Sequence, residues 1–336
     1  MTTYPWHLTL WQQLVHNRTR LSHALLLKGM AGTGKRDFAY ALAKSYLCEQ
    51  STENGIPCGQ CTSCHWFELG QHPDFRLLEP EVGEETEGSE DSSPKSPKKR
   101  AEISVAQVRA LEDFVNLSTH RSGLRVILIH PAESMNTHAA NALLKTLEEP
   151  PENTLFLLVS HQPQRLLPTV RSRCQSVDMP MPSRTDATKW LESQGVNEPG
   201  LSLALAGGAP LAALKIQEGQ SSELRKDFLG ALAAIHKKSP ILAAEHFAKE
   251  DMNRLTQWLQ QWIYDLASLR LCGQIRHHLD WQKVLQSNAD KVNLDQLLEY
   301  SREVDEAKRY LRHTLSPQLV LESLLISYSR CMEQTA

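Results

Sequence analysis

Two groups of residues in this 336-residue chain have the types and spacing to do chemistry. The first is Gly29-Met30-Ala31-Gly32-Thr33-Gly34-Lys35-Arg36, which follows the phosphate-loop pattern G-x-x-x-x-G-K-[ST] in all but its last position. Gly29, Gly32 and Gly34 let backbone N–H groups around Thr33 turn inward on a phosphate, and Lys35 reaches its outer oxygens. The second is Cys58-x-x-Cys61-x-x-Cys64, preceded by Cys48. Four thiolates close a tetrahedral shell around Zn²⁺, and two-residue spacers bring neighbouring sulfurs onto one ion. Such a shell leaves no open position for water, so a structural zinc is expected. His65 is a spare ligand candidate, whereas the scattered Cys174, Cys272 and Cys331 read as small apolar residues.

The phosphate loop lacks what magnesium needs. A Ser or Thr hydroxyl normally ligates Mg²⁺ at the position of Arg36, and a guanidinium has no lone pair to offer. The second metal element, an acidic residue at the end of a later apolar strand, also fails. That strand reads Val126-Ile127-Leu128-Ile129, and His130 follows it. Neutral imidazole is a poor partner for a hard, oxygen-seeking cation. Glu133 is placed to polarise a water, but has little to act on without an organised metal. Both departures remove the same ion, so the loop is expected to retain the shape of a phosphate cradle without hydrolysing ATP. Arg36 itself can touch phosphate, so the loop's residues leave nucleotide retention open.

The elements that hold these residues are readable from hydrophobic pattern. Residues 24–29 read as a short buried strand entering the glycine loop. Phe38, Ala39, Leu42, Ala43 and Tyr46 then recur at helical spacing. Phe75–Leu78 is another short strand; Val126–Ile129 and Leu155–Val159 are continuous apolar runs, as in strands covered on both faces. Between those two runs a helix starts at Asn136 or Thr137, carries Ala140, Leu143, Leu144 and Leu147 on one stripe, and stops before Pro150 and Pro151. Strand, helix and strand in this order imply a parallel sheet with crossover helices. MPMPSR (179–184) reads as a linker, residues 185–218 as a small helical unit broken at Gly207, Gly208 and Pro210, and everything from about 222 onward as helix. Trp258 and Trp262 share a helical face and are expected in the core rather than as base-stacking platforms.

The fold class is therefore an α/β P-loop domain with an inserted zinc module, a small helical lid and an all-α C-terminal domain, with boundaries at 1–177, 178–221 and 222–336. Residues 80–102 run from an acidic half through Ser-Pro repeats to the basic cluster Lys95–Arg100, and their composition predicts a solvated, disordered insert. A net charge of −3 argues against a surface that grips nucleic acid throughout, and residues 48–74 contain no Lys or Arg, which disfavours a nucleic-acid-binding zinc knuckle. No apolar run approaches a membrane span and no signal peptide opens the chain, so a cytoplasmic location is expected.

Taken together these pieces resemble the clamp-loader branch of the AAA+ family over most of the chain, most densely over residues 22–79 and 103–177. Asn141-Ala142-Leu143-Leu144-Lys145-Thr146-Leu147-Glu148-Glu149-Pro150-Pro151 is similar to the family's central helix and its end, and Phe156-Leu157-Leu158-Val159-Ser160 to its next strand. Arg171-Ser172-Arg173-Cys174 resembles the Ser-Arg-Cys motif of bacterial clamp loaders. The resemblance implies that Arg173 points into the ATP site of an adjacent subunit as an arginine finger. It also implies a non-hydrolysing subunit of the DNA polymerase III clamp-loader complex, with gamma/tau and delta subunits as partners and contact with the sliding clamp and primed DNA through the complex. The family's lid arginine has no counterpart in Gly207-Gly208-Ala209-Pro210-Leu211-Ala212-Ala213-Leu214, a third missing catalytic element. The alternative is an active gamma/tau-like ATPase, which Arg36 and His130 oppose.

Overall fold

The computed structural model describes residues 3–81, 102–116, 123–218, 221–236, 239–310 and 316–332. Most of the insert anticipated at 80–102 lies outside them. The chain divides into two compact units, Met1–Asp186 and Ala187–Ala336.

The first unit opens with helix α1 (Leu8–His16), strand β1 (Ala24–Lys28), α2 (Lys35–Leu47), α3 (Thr62–Glu68) and β2 (Phe75–Leu78). It continues through α4 (Val105–Asn116), β3 (Arg125–Ile129), α5 (Thr137–Glu148), β4 (Thr154–Ser160), α6 (Pro168–Ser172) and β5 (Gln175–Asp178). The five strands are all parallel, in the order β2-β3-β4-β1-β5. Alternation along the strands divides the core into two layers. Leu25, Leu27, Val126, Leu128, Leu157 and Val159 pack with α1 and α2. Leu26, Ile127, Ile129, Phe156 and Leu158 pack with α4, α5 and α6. This two-sided burial is why β1, β3 and β4 read as unbroken apolar runs. β5 at the sheet edge buries only Val177 of its four residues, so Gln175, Ser176 and Asp178 hid it from the sequence reading.

Helix α5 begins where anticipated: Asn136 is its N-cap, with Oδ1 accepting from the Ala139 N–H at 2.8 Å. It ends at Glu148, ahead of the two prolines.

The second unit is wholly helical among the described residues. α7 (Arg184–Ser193) leads into it, followed by α8 (Pro199–Leu205) and α9 (Pro210–Glu218); α8 and α9 are bent by 105° at the Gly207–Gly208 break. Ala187, Leu191, Val196, Leu203 and Ala213 form a small core of their own. α10 (Ser221–Ala233), α11 (Pro240–Phe247), α12 (Met252–Cys272), α13 (Gln282–Ala289), α14 (Leu294–Tyr310) and α15 (Pro317–Cys331) surround a larger one. Trp258 and Trp262 both lie in that core, and the Trp262 indole N–H donates to the Tyr328 hydroxyl at 2.7 Å. Buried Asp265 accepts the backbone N–H groups of Arg276, His277 and His278, fixing the chain where it leaves α12. Cys331 is buried as expected, but Cys272 is exposed, with its thiol donating to the Ser268 carbonyl, so it is not a packed apolar residue. No single helix among the described residues is long and apolar enough to cross a membrane.

Candidate functional site

β1 lies between β4 and β5, the point where the strand order reverses, and ligands of open parallel sheets bind beyond the carboxyl ends of strands at such a point. The glycine loop sits there. Gly29, at φ +155°, leaves β1 so close to β5 that an added Cβ would meet the Met179 carbonyl oxygen at 3.3 Å. Gly34, at φ +89°, is the N-cap of α2, and a Cβ there would fall 2.3 Å from the Tyr4 ring.

Tyr4 therefore lies directly over the start of α2. Its hydroxyl donates to Asp37 Oδ2 at 2.8 Å, the Trp6 indole N–H donates to the Thr33 carbonyl at 2.9 Å, and the two rings stack 5.0 Å apart. Beneath them Lys35 is 2% exposed and its ammonium donates to the Met30 carbonyl, to which the Thr33 hydroxyl also donates at 3.0 Å. The loop thus satisfies its own lysine, and the N-terminal segment covers the loop. Burial lowers Lys35 to about 8. Neither Tyr4 nor Trp6 was legible as part of this site, because nothing local links them to residues 33–37.

The two metal positions meet through a residue that the sequence did not single out. Leu78 and Ile129 are paired across β2 and β3, so the residues that follow them, Glu79 and His130, emerge side by side. Arg36 grips Glu79 with both arms of its fork, Nε to Oε1 at 2.6 Å and Nη2 to Oε2 at 3.2 Å. His130 Nδ1 approaches the same Oε1 at 3.4 Å. Burial pushes the Glu79 carboxyl up, but Arg36 and His130 more than offset this and its net shift is downward. Glu133 turns to the backbone: Oε1 accepts the N–H groups of His161 at 2.9 Å and Gln162 at 3.2 Å. Where a magnesium pocket would present a hydroxyl and a free acid, this crevice presents a closed guanidinium–carboxylate–imidazole chain.

His7, fully buried beside Lys35, has no hydrogen-bond partner for either ring nitrogen among the described residues. Burial, and then the Lys35 charge, lowers it to about 4, whereas in an unfolded chain it titrates near 6.5. Between those values the unfolded state binds the extra proton, so the contribution of neutral His7 is complete above about pH 6.5 and is lost as pH falls toward 4. Chemical denaturation at pH 7 and pH 5 should show the first unit weaker at pH 5 by up to about 2 kcal/mol from this group. The loss should shrink in His7→Phe; identical pH dependence in the two proteins would exclude this origin.

The four cysteines converge. Cys48 caps the C-terminus of α2, Cys61 caps the N-terminus of α3, and all four sulfurs lie within 4.8 Å of one another. The Sγ separations of 3.6 Å (Cys48–Cys58), 3.9 Å (Cys48–Cys61) and 4.0 Å (Cys58–Cys64) match the edge of about 3.8 Å expected for a tetrahedron with metal–sulfur bonds near 2.3 Å. Backbone N–H groups of Cys58, Gln60, Cys61 and Cys64 donate to these sulfurs at 3.3–3.4 Å. Those of Gln60 and Cys61 hold the Cys58 thiol down to about 6. The donor set fits a divalent metal with a preference for thiolate. His65 is exposed and stays outside the group.

Arg173 follows α6 and is about one-third exposed. Its Nη1 donates to the Thr169 carbonyl at 2.9 Å and its Nη2 lies 2.5 Å from Glu148 Oε1. Arg171, its neighbour in the motif, is exposed.

Residues 6–183 match a family model described as DNA polymerase III, delta subunit, and residues 220–330 match one described as DNA polymerase III, delta subunit, C terminal. A DNA polymerase III subunit delta′ of Pseudomonas aeruginosa is 35% identical over 97% of each chain. One from Yersinia pestis is 31% identical over 99% of this chain and 97% of its own. The DNA polymerase III subunit tau of Escherichia coli is 37% identical over 46% of this chain and 21% of its own.

Proposed function

The chain belongs to the family of DNA polymerase III delta′ subunits, and from that premise we propose that it is a clamp-loader subunit that does not hydrolyse ATP but completes the ATP site of a neighbour. The observation that carries this reading is the Arg36–Glu79–His130 chain standing where a magnesium ion would have to be held. Without the metal, the charge that develops on a transferred phosphoryl group goes unneutralised, which raises the barrier by several kcal/mol. The Lys35–Met30 bond and the Tyr4–Trp6 cover act in the same direction, since both occupy the cradle's own donors and mouth.

In this reading Arg173 supplies a guanidinium to the γ-phosphate held by an adjacent gamma/tau subunit. The helical segment 178–221 serves as lid, and residues 222–336 form the collar that holds the chain in a ring with gamma/tau and delta. The sliding clamp and primed DNA are engaged through that assembly. The Cys48, Cys58, Cys61 and Cys64 group holds Zn²⁺, which ties the end of α2 to the start of α3 and performs no catalytic step.

The direct test is ATP turnover by the purified chain with Mg²⁺. None is expected. Turnover that Lys35→Ala abolishes would overturn the reading in favour of an active motor subunit; turnover that persists in Lys35→Ala belongs to a contaminant.

A further inference from the structure

We propose that Glu148 is a positioning residue for Arg173, holding the guanidinium in the orientation it presents to a neighbouring subunit; this rests on the finger reading above. The pair joins two elements already fixed by the core. Glu148 ends α5 beside fully buried Leu147, and Arg173 follows α6, whose Val170 is also fully buried. Leu147 and Val170 belong to the same buried layer, so the two side chains project from one rigid platform.

Local stability does not account for Glu148. A carboxylate on the last residue of a helix faces the negative end of the helix dipole, where a cation is favoured. Here the cation is supplied from α6. The guanidinium engages Thr169 and Ser172 through Nη1 and Glu148 through Nη2, which leaves Nε–H and one Nη2 hydrogen for an incoming oxyanion. An unheld arginine would have to lose its rotamer freedom on meeting a phosphate, whereas a held one has already lost it. Because Glu148 is about half exposed, the pair is weak enough not to compete with a phosphate for the charge.

The experiment is steady-state ATPase of the complex reconstituted with its hydrolysing neighbours, comparing wild type with Glu148→Ala, Glu148→Asp, Glu148→Gln, Arg173→Ala and the Glu148→Ala/Arg173→Ala double variant. Glu148→Ala should lower kcat for the dependent site by about three- to tenfold with KM unchanged, the range that ordering one long side chain is worth. Glu148→Asp should recover part of that loss, and the double variant should match Arg173→Ala alone. Glu148→Gln keeps the shape and one acceptor, so it carries the comparison if Glu148→Ala does not assemble. Unchanged or raised kcat in Glu148→Ala, beside a loss in Arg173→Ala, overturns the positioning role and leaves the finger standing. A loss from Glu148→Ala that persists undiminished in the Arg173→Ala background also overturns it. Full activity in Arg173→Ala removes the finger reading itself.

Discussion

Arg173→Ala is expected to leave the subunit folded and assembled while the adjoining ATP site loses hydrolysis by about a thousandfold or more, the usual worth of an arginine finger. The side chain is partly exposed and is held at the surface by the Thr169 carbonyl, the Ser172 hydroxyl and one ion pair, so its removal should cost little stability. Its effect should therefore separate cleanly from folding. Other sites of a ring draw on other subunits, so total turnover should fall only by the share of the site next to this chain. Single-turnover hydrolysis would show a slow phase whose amplitude equals one site. Arg171→Ala is the control, since that side chain is exposed two residues away. Loss in Arg171→Ala instead of Arg173→Ala would transfer the role to the other arginine of the motif.

Removing metal from the cysteine group should weaken the first unit by on the order of 4–5 kcal/mol, the class of effect that loss of a structural metal produces. For a unit of this size that lowers the melting midpoint by about 10–20 °C. The physical cause is specific. Cys48 closes α2 and Cys61 opens α3, so an ion bonded to the four clustered sulfurs ties the two helix ends together, and its loss releases that tie. Calorimetry of the full chain before and after a strong zinc chelator, with metal content measured in parallel, checks this. Below the new midpoint, ATPase of the reconstituted complex should survive, because Arg173 lies outside the module. A chelated protein with an unmoved midpoint would show that the cluster stabilises nothing.

How much of this was readable in the chain depends on the range over which each feature is encoded. The glycine loop, the cysteine spacing, the N-cap at Asn136 and the apolar runs of β1, β3 and β4 are local statements. Backbone conformation, ligand geometry and two-sided burial act on residues within a few positions of one another, so residue type and spacing report them directly. The expectation that the loop lacks magnesium ligands is local in the same way, since it rests on Arg36 and His130 in their own positions. Polar β5 carried no comparable pattern and emerged only in the folded chain, whereas α1 carries Leu10, Trp11, Leu14 and Val15 at helical spacing, a signal that periodicity could have found.

What stands between Arg36 and His130 was decided by tertiary structure alone. Glu79 is 43 residues from Arg36 and 51 from His130; parallel pairing of β2 with β3 sets it beside His130, and it meets Arg36 at the start of α2. The Tyr4–Trp6 cover over Gly34 and the Glu148 hold on Arg173 arise in the same way, from packing of elements whose separation along the chain carries no record of their meeting. Hydrophobic periodicity tells a side chain which face to bury; sheet register and helix packing decide which distant polar group it then confronts.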